Sequence, residues 1–360
     1  MALNVDDLVK SAIMAEMAKS TTAAPAPAPL ATAVPAPLVE ATAPTLGTNQ
    51  VWSGKLLGIR KSKDDFPVTM LVQSEIPTEV RSFIPDVDPA YVIQKDQAKA
   101  ILRAWEMGDK TLVVGPRGSG KSSLIKHLCA LTGRPFIRIN MTEDAESSNM
   151  LGMLAIEGGA TVWKDGAITE AVRFGAVCLV DEWDVTPPGI MFALQNLLED
   201  GGYLYLKEKP GTSVDRTLHP HANFRLVMAG NTLGQGDETG DYAGTAVQNS
   251  ATLDRFGTTV HIGYLSAEHE IAILTGKVKG LSPDACAKMV KVAQLVRDAN
   301  QNGDMTLTMS PRTLLSWGKK AAMCGSLSEA LEFAFINKLR SQDQRMVKEF
   351  VTKVFGVARP

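Results

Sequence analysis

A parallel β-sheet covered by helices on both faces, followed by a separate small helical domain, is the fold that this sequence predicts. Three observations predict it. Short apolar runs at 111–114, 136–139, 176–180, 224–229 and 258–262 alternate with helically patterned segments, as strands joined by crossover helices do. A glycine-rich turn, Gly115-Pro116-Arg117-Gly118-Ser119-Gly120-Lys121-Ser122, joins the first run to a helical segment at 122–131. Beyond about Leu265 the strand signals stop, and helical segments follow near 266–275, 283–301, 311–323, 327–338 and 342–355. Two of these open with Ser282-Pro283 and Ser310-Pro311; serine at the N-cap with proline at the first helical position is a strong start signal.

The chain before this core divides into three stretches. Residues 1–20 carry a short amphipathic helix over 4–19, with Val5, Leu8, Val9, Ala12, Ile13 and Met17 on one stripe. A lone helix has no core of its own to bury that stripe against, so it reads as a docking peptide or a weakly ordered tail. Residues 21–50 are rich in Ala, Pro and Thr, with Pro25, Pro27, Pro29, Pro35, Pro37 and Pro44. That composition favours an extended, unpacked tether of about 3.1 Å per residue. Residues 51–85 carry short apolar runs, including 68–72, that suggest a small β-containing unit. The α/β domain is expected over 86–264 and the helical domain over 265–360.

Composition narrows the function classes. The chain has 360 residues, 45% hydrophobic and 21% charged, which is ordinary for a globular protein. Lys plus Arg is 37 and Asp plus Glu is 39, so no overall basic field marks a nucleic-acid partner. Lys207, Lys209 and Arg216 read as solvated surface. No run of about 20 apolar residues is present, so no membrane span is expected. Asp6, Asp7, Lys10 and Glu16 interrupt the first apolar residues, against a signal peptide. Cys129, Cys178, Cys286 and Cys324 form no close metal-ligand pair, which fits a reducing cytoplasm. His219-Pro220-His221 has no third ligand nearby in sequence and is not read as a metal site.

The chemistry concentrates at the predicted strand ends. The glycine-rich turn matches G-x-x-x-x-G-K-[ST] between a strand and a helix, the context in which that motif binds nucleotide phosphates. Its backbone N–H groups wrap the phosphates, Lys121 neutralises the β- and γ-phosphates of ATP, and Ser122 offers a hydroxyl to magnesium. The run 176–180 ends in Asp181-Glu182: Asp181 would organise the magnesium shell and Glu182 would polarise the attacking water. The run 226–229 ends in Gly230-Asn231, and Asn231 would hold that water against the γ-phosphate. Arg255, just before the last strand, and Arg312, after Ser310-Pro311, complete the set. Arginine stabilises charge on the γ-phosphate oxygens, and an arginine at a helix start otherwise opposes the helix dipole. A surface ion pair is the plainer alternative for each, and a turn asparagine for Asn231.

The order of these elements resembles the AAA+ superfamily. The resemblance implies Walker A at Lys121 and Ser122, Walker B at Asp181 and Glu182, and sensor 1 at Asn231. It also implies a finger at Arg255 reaching the neighbouring subunit's ATP, and sensor 2 at Arg312. It further implies a five-stranded parallel sheet, a helical lid and a hexameric ring. Within the superfamily the chain resembles the MoxR branch, and there the small ATPase subunit of aerobic cobaltochelatase, CobS. The stretches that carry this are 84–92 (Ile84-Pro85-Asp86-Val87-Asp88-Pro89-Ala90-Tyr91-Val92), 229–232 with 236–240, and Met309-Ser310-Pro311-Arg312-Thr313. The branch places a β-hairpin before Walker B. Here 153–157, Gly158-Gly159 and 160–163 read as one, with a second over 203–218. The implied partners are a von Willebrand A-domain protein like CobT and a larger chelatase subunit. A MoxR-type chaperone of another partner, as in a phage, is the alternative; the Ala/Pro-rich N-terminal stretch departs from the cobaltochelatase pattern. A P-loop kinase is the reading from another class, opposed by Asp181-Glu182, Asn231 and Arg312.

Overall fold

The computed structural model describes residues 46–60, 63–142, 146–236 and 244–356. The amphipathic helix expected over 4–19 and most of the 21–50 tether lie outside the described residues.

Five strands form the central sheet: β3 (Thr111–Val114), β4 (Phe136–Asn140), β7 (Val177–Asp181), β10 (Arg225–Gly230) and β11 (Thr258–His261). Their order across the sheet is β11-β3-β10-β7-β4, and every neighbouring pair is parallel. Alternation along each strand divides the side chains between two faces. Leu112, Val114, Cys178, Val180, Leu226 and Met228 enter one buried cluster. Val113, Val177, Leu179, Val227 and Ala229 enter another. The near-continuous apolar runs in the sequence are therefore strands buried on both sides. On the second face pack helices Lys95–Met107 and Lys121–Thr132, through Ile101, Leu102, Trp105, Leu124 and Leu128.

The segment before the sheet is less of a unit than its sequence suggests. Two three-residue strands, β1 (Gln50–Trp52) and β2 (Pro67–Thr69), pair antiparallel. Leu57 and Val68 pack with the second-face cluster, and Ile76 and Val80 with the first. The segment thus closes both cores of the sheet rather than forming its own.

Two hairpins leave the core. β5 (Gly152–Glu157) and β6 (Ala160–Asp165) pair through a turn in which Gly158 and Gly159 both have positive φ, the backbone a two-residue hairpin turn requires. Met153, Leu154 and Ile156 are exposed on it. The region 203–218 is only partly a hairpin. Pairing is confined to β8 (Leu204–Tyr205) and β9 (Thr217–Leu218), because the short helix Ser213–Arg216, held by a Thr212–Asp215 capping box, takes up its tip.

After β11 the chain is helical: Ala267–Lys277, Pro283–Gln301, Pro311–Cys324, Leu327–Ala334 and Ser341–Phe355. Ser266, Ser282, Ser310 and Ser326 each cap a helix by accepting a backbone N–H three residues on. The helix expected to run over 327–338 stops at Ala334. Phe335 leaves helical geometry at φ −141° and ψ −53°, buries its ring, and a 3-10 turn Ile336–Lys338 follows. These helices share their own cluster around Met289, Val292, Val296, Trp317, Leu331 and Val347. Among the described residues no helix is long and apolar enough to cross a membrane.

Trp317 holds that cluster together. It is 1% exposed, and its indole N–H donates to the Leu327 carbonyl at 2.8 Å. Trp317→Ala should destabilise the helical region by about 3–5 kcal/mol, seen as an early loss of helical signal in thermal unfolding. An unchanged melting profile would contradict the packing described.

Candidate active site

The parallel register sets the C-terminal ends of the strands side by side. Val114 of β3 lies opposite Gly230 of β10 and His261 of β11, and Ala229 lies opposite Asp181 of β7. In sheets of this type ligands bind beyond those ends. There, 115–120 form a loop whose Gly118 and Gly120 adopt φ of 74° and 97°. Gly118 faces a second constraint: a Cβ on it would lie 2.5 Å from the Ser310 Cβ. The loop runs into helix Lys121–Thr132, whose free N–H groups and dipole make an anion site.

Lys121 is 7% exposed. Its ammonium donates to the carbonyls of Gly115 at 2.6 Å and Pro116 at 3.1 Å and to Asn231 Oδ1 at 3.0 Å. Burial lowers its pKa to about 8, with Asp181, Asp184 and Glu182 pulling the other way. Ser122 Oγ donates to Asp181 Oδ2. Asp181 is buried, while Glu182 is exposed beside it. Glu182 has φ 58°, the one positive value at a non-glycine among the described residues. Backbone held in that region by its surroundings collects at functional sites.

A cleft of about 450 Å³ lies over this edge. Gly118 to Ser122, Asp181, Glu182, Asn231 and Arg312 all line it. Arg117 also lines it, and its carbonyl accepts from the Tyr264 hydroxyl at 3.2 Å. Pro116, Gly115 and Asn231 line a second cleft on the far side of the loop. Arg312 stands on the first turn of its helix, placed by a buried pair behind it. Arg297 makes two 2.9 Å bonds to Glu270, donates to the Met309 carbonyl at 2.8 Å, and stacks on Tyr264. Arg255 is elsewhere: it is outside the cleft, half-buried, paired with Glu199 and donating to the Ala251 carbonyl.

Three features were not read from the sequence. Arg138 on β4 projects into the cleft with its guanidinium 2.7 Å from Asp181 Oδ2; the available signal was a charge inside the apolar run 136–139. Ala90, Tyr91 and Val92 form one wall, with Tyr91 stacked on His127 at 4.3 Å. Ile273, Lys277 and Leu315 form the facing wall. Lys277 bridges the two through Asp88 at 2.9 Å. Nothing in the local sequence marks Lys277, whose partner lies 189 positions away.

A parallel sheet in this order, a phosphate loop after β3, the strand next to its β11 edge, and an Asp-Glu pair at the end of β7 define an AAA+ ATPase. An AAA domain of the dynein-related subfamily matches residues 110–256, and the CbbQ/NirQ/NorQ C-terminal domain matches 270–356. Aerobic cobaltochelatase subunit CobS from Sinorhizobium sp is 33% identical over 284 residues, 77% of this chain and 84% of that one. The chain belongs to the MoxR branch of AAA+ ATPases, close to CobS, and is an ATP-hydrolysing enzyme. Protein NorQ of Paracoccus denitrificans is 26% identical over 74% of this chain and 94% of its own. A Thermotoga maritima RuvB structure overlays with a TM-score of 0.46 at 14% identity, covering 76% of this chain and 82% of that one.

Lys121 gives the site a pH signature. The ammonium faces the phosphates only while protonated, and in the free site its charge is lost as pH rises through about 8. ATP affinity should therefore fall by about tenfold between pH 7 and pH 9, following the protonated fraction. Equilibrium titration with a fluorescent ATP analogue checks this; a flat profile would show that Lys121 stays charged or does not face the phosphates.

Proposed function

We propose that this chain is the motor subunit of a ring, hexameric as in its superfamily, that uses ATP and magnesium to remodel a partner with a von Willebrand A domain. The single observation that carries the reading is a separation. Lys121, Ser122, Asp181, Glu182, Asn231 and Arg312 converge on one cleft, while Arg255 is half-buried outside it, paired with Glu199. A finger that is outside its own cleft needs a neighbouring subunit to reach nucleotide.

The donor set suits magnesium. A serine hydroxyl and a buried carboxylate, both hard oxygens, already meet. Ser122 and Asp181 would hold the ion, which would supply neutralising charge to the phosphates. Lys121 binds the phosphates from beneath. Glu182 takes a proton from the attacking water, which Asn231 orients. Arg312, carried by the helical region, and Arg255 of an adjacent subunit stabilise charge on the transferred group.

CobS similarity favours a complex that inserts cobalt into a corrin ring, with the chelation chemistry in a larger subunit. The match of 270–356 to the CbbQ/NirQ/NorQ domain, and NorQ coverage of 94%, favour a second reading: a chaperone of another von Willebrand A partner. Either reading is of a cytoplasmic protein. Residues 1–20, with the amphipathic pattern read from the sequence, would capture the partner on the 21–50 tether and raise its local concentration.

Glu182→Gln should retain ATP binding and lose turnover by about 100-fold or more. Arg255→Ala and Lys121→Ala should each be inactive alone and partly active when mixed, since a mixed ring contains interfaces with both intact parts. Phosphate release measured across mixing ratios tests the shared site; no recovery at any ratio would remove it.

A further inference from the structure

We propose that Asp184 is the positioning residue that aims Asn231 at the reacting phosphate and ties it to the segment leading to Arg255. Asp184 lies three residues beyond Asp181, in the 3-10 turn Trp183–Val185, and is completely buried. One carboxylate oxygen, Oδ2, accepts three hydrogen bonds. They come from the backbone N–H of Asn231 at 2.8 Å, the backbone N–H of Thr232 at 2.8 Å, and the Thr232 hydroxyl at 3.0 Å. Two successive N–H groups closing on one anion form a nest, and this nest lies directly beyond the end of β10. The direction of the Asn231 side chain follows from that backbone, and Asn231 Oδ1 meets the Lys121 ammonium at 3.0 Å.

The same turn is held from its other side. The Asp184 carbonyl accepts the Ala246 N–H at 2.8 Å, and Gln248 donates from its side-chain amide to the Thr186 carbonyl at 2.8 Å. Gln248 N–H in turn reaches the Gly234 carbonyl at 2.7 Å. The turn is therefore clasped between the end of β10 and residues 244–248. Those residues run directly into helix Ser250–Leu253 and then Arg255. Close packing enforces the arrangement: a Cβ on Gly230 would lie 2.6 Å from Trp183 Nε1 and 3.0 Å from Asp184 Cγ.

Stability alone does not account for Asp184. Among the described residues its other oxygen, Oδ1, is buried without a partner, as are Trp183 Nε1, Thr186 Oγ1, Thr245 Oγ1 and Gln248 Oε1 in the same seam. A buried carboxylate so incompletely bonded is costly against an apolar side chain of the same volume, and such groups call for a functional reason. Holding Asn231 in register with residues 244–248 is that reason. Asp184 touches no nucleotide in this scheme; it acts through Asn231.

The inference rests on the role given to Asn231 under the proposed function, so both residues are tested together in the full-length chain. Four variants are compared: Asn231→Ala, Asp184→Ala, Asp184→Asn and the Asn231→Ala/Asp184→Ala double variant. Asp184→Ser joins them as a polar replacement in case the alanine variant does not fold. Each is measured for kcat and, separately, for Kd of a fluorescent ATP analogue, with circular dichroism as the folding check. Asp184→Ala or Asp184→Ser should lower kcat between about tenfold and about 100-fold, as misplacement of a reacting group does, with Kd within about threefold. Asp184→Asn should recover most of the rate, because its amide oxygen can still accept both N–H groups. The double variant should be no slower than Asn231→Ala. Normal kcat in folded Asp184→Ala or Asp184→Ser, an asparagine variant as slow as the alanine or serine one, or additive losses in the double variant would each overturn the proposal. A normal rate in Asn231→Ala with a slow Asp184→Ala would instead sink the role of Asn231 and leave Asp184 acting by another route, which also overturns the inference as stated.

Discussion

The structure turns on the Lys121 ammonium. Its three donors reach two carbonyls of the phosphate loop and the side chain of Asn231, the residue directly after β10. One buried cation thus locks the loop after β3 to the end of β10. It can do so only because the parallel register brings Val114 and Gly230 level. A one-residue slip of either strand would turn its alternating side chains to the wrong face and separate these groups. The same burial that makes the ammonium an effective partner for phosphate lowers its pKa.

From that lock the site extends in two directions. Toward the sheet, the Walker B end carries Asp181 with Ser122 and Arg138, and then Asp184 beneath Asn231. Toward the helical region, Tyr264 reaches the Arg117 carbonyl from its hydroxyl and supports Arg297 with its ring. Arg297 fixes the Met309 carbonyl three residues before Arg312. Replacing either Glu270 or Arg297 alone would leave a buried charge without its partner, which is far more damaging than never having had the pair. The position of Arg312 is thus set by groups, Glu270, Arg297 and Tyr264, that do not line the cleft.

The fold was legible because parallel strands buried on both faces write themselves as apolar runs, and because serine and proline mark helix starts. Boundaries moved by a residue: the strand read at 176–180 is Val177–Asp181, so Asp181 is its last residue rather than the first beyond it. The phosphate loop and the acid pair were legible because their chemistry is local in sequence. Asp184 was not, although it stands two residues from Glu182. Its meaning lies in bonds to residues 231 and 232 and to 246, and a lone carboxylate after an acid pair carries no such address. Arg138 and Lys277 were hidden for the same reason, with partners 43 and 189 positions distant. The exposed Met153, Leu154 and Ile156 fall on the hairpin that the glycine pair announced.

The central claim is that the active site is shared between subunits, with Arg255 leaving its own chain's Glu199 to meet a neighbour's nucleotide. The most direct test is a cryo-electron microscopy reconstruction of the Glu182→Gln protein with ATP and magnesium. The account predicts a closed ring in which each Arg255 guanidinium lies within hydrogen-bond distance of the γ-phosphate on the adjacent subunit and has separated from Glu199. A particle in which nucleotide is bound while Arg255 remains paired with Glu199, at a subunit boundary or in a monomer, would contradict it.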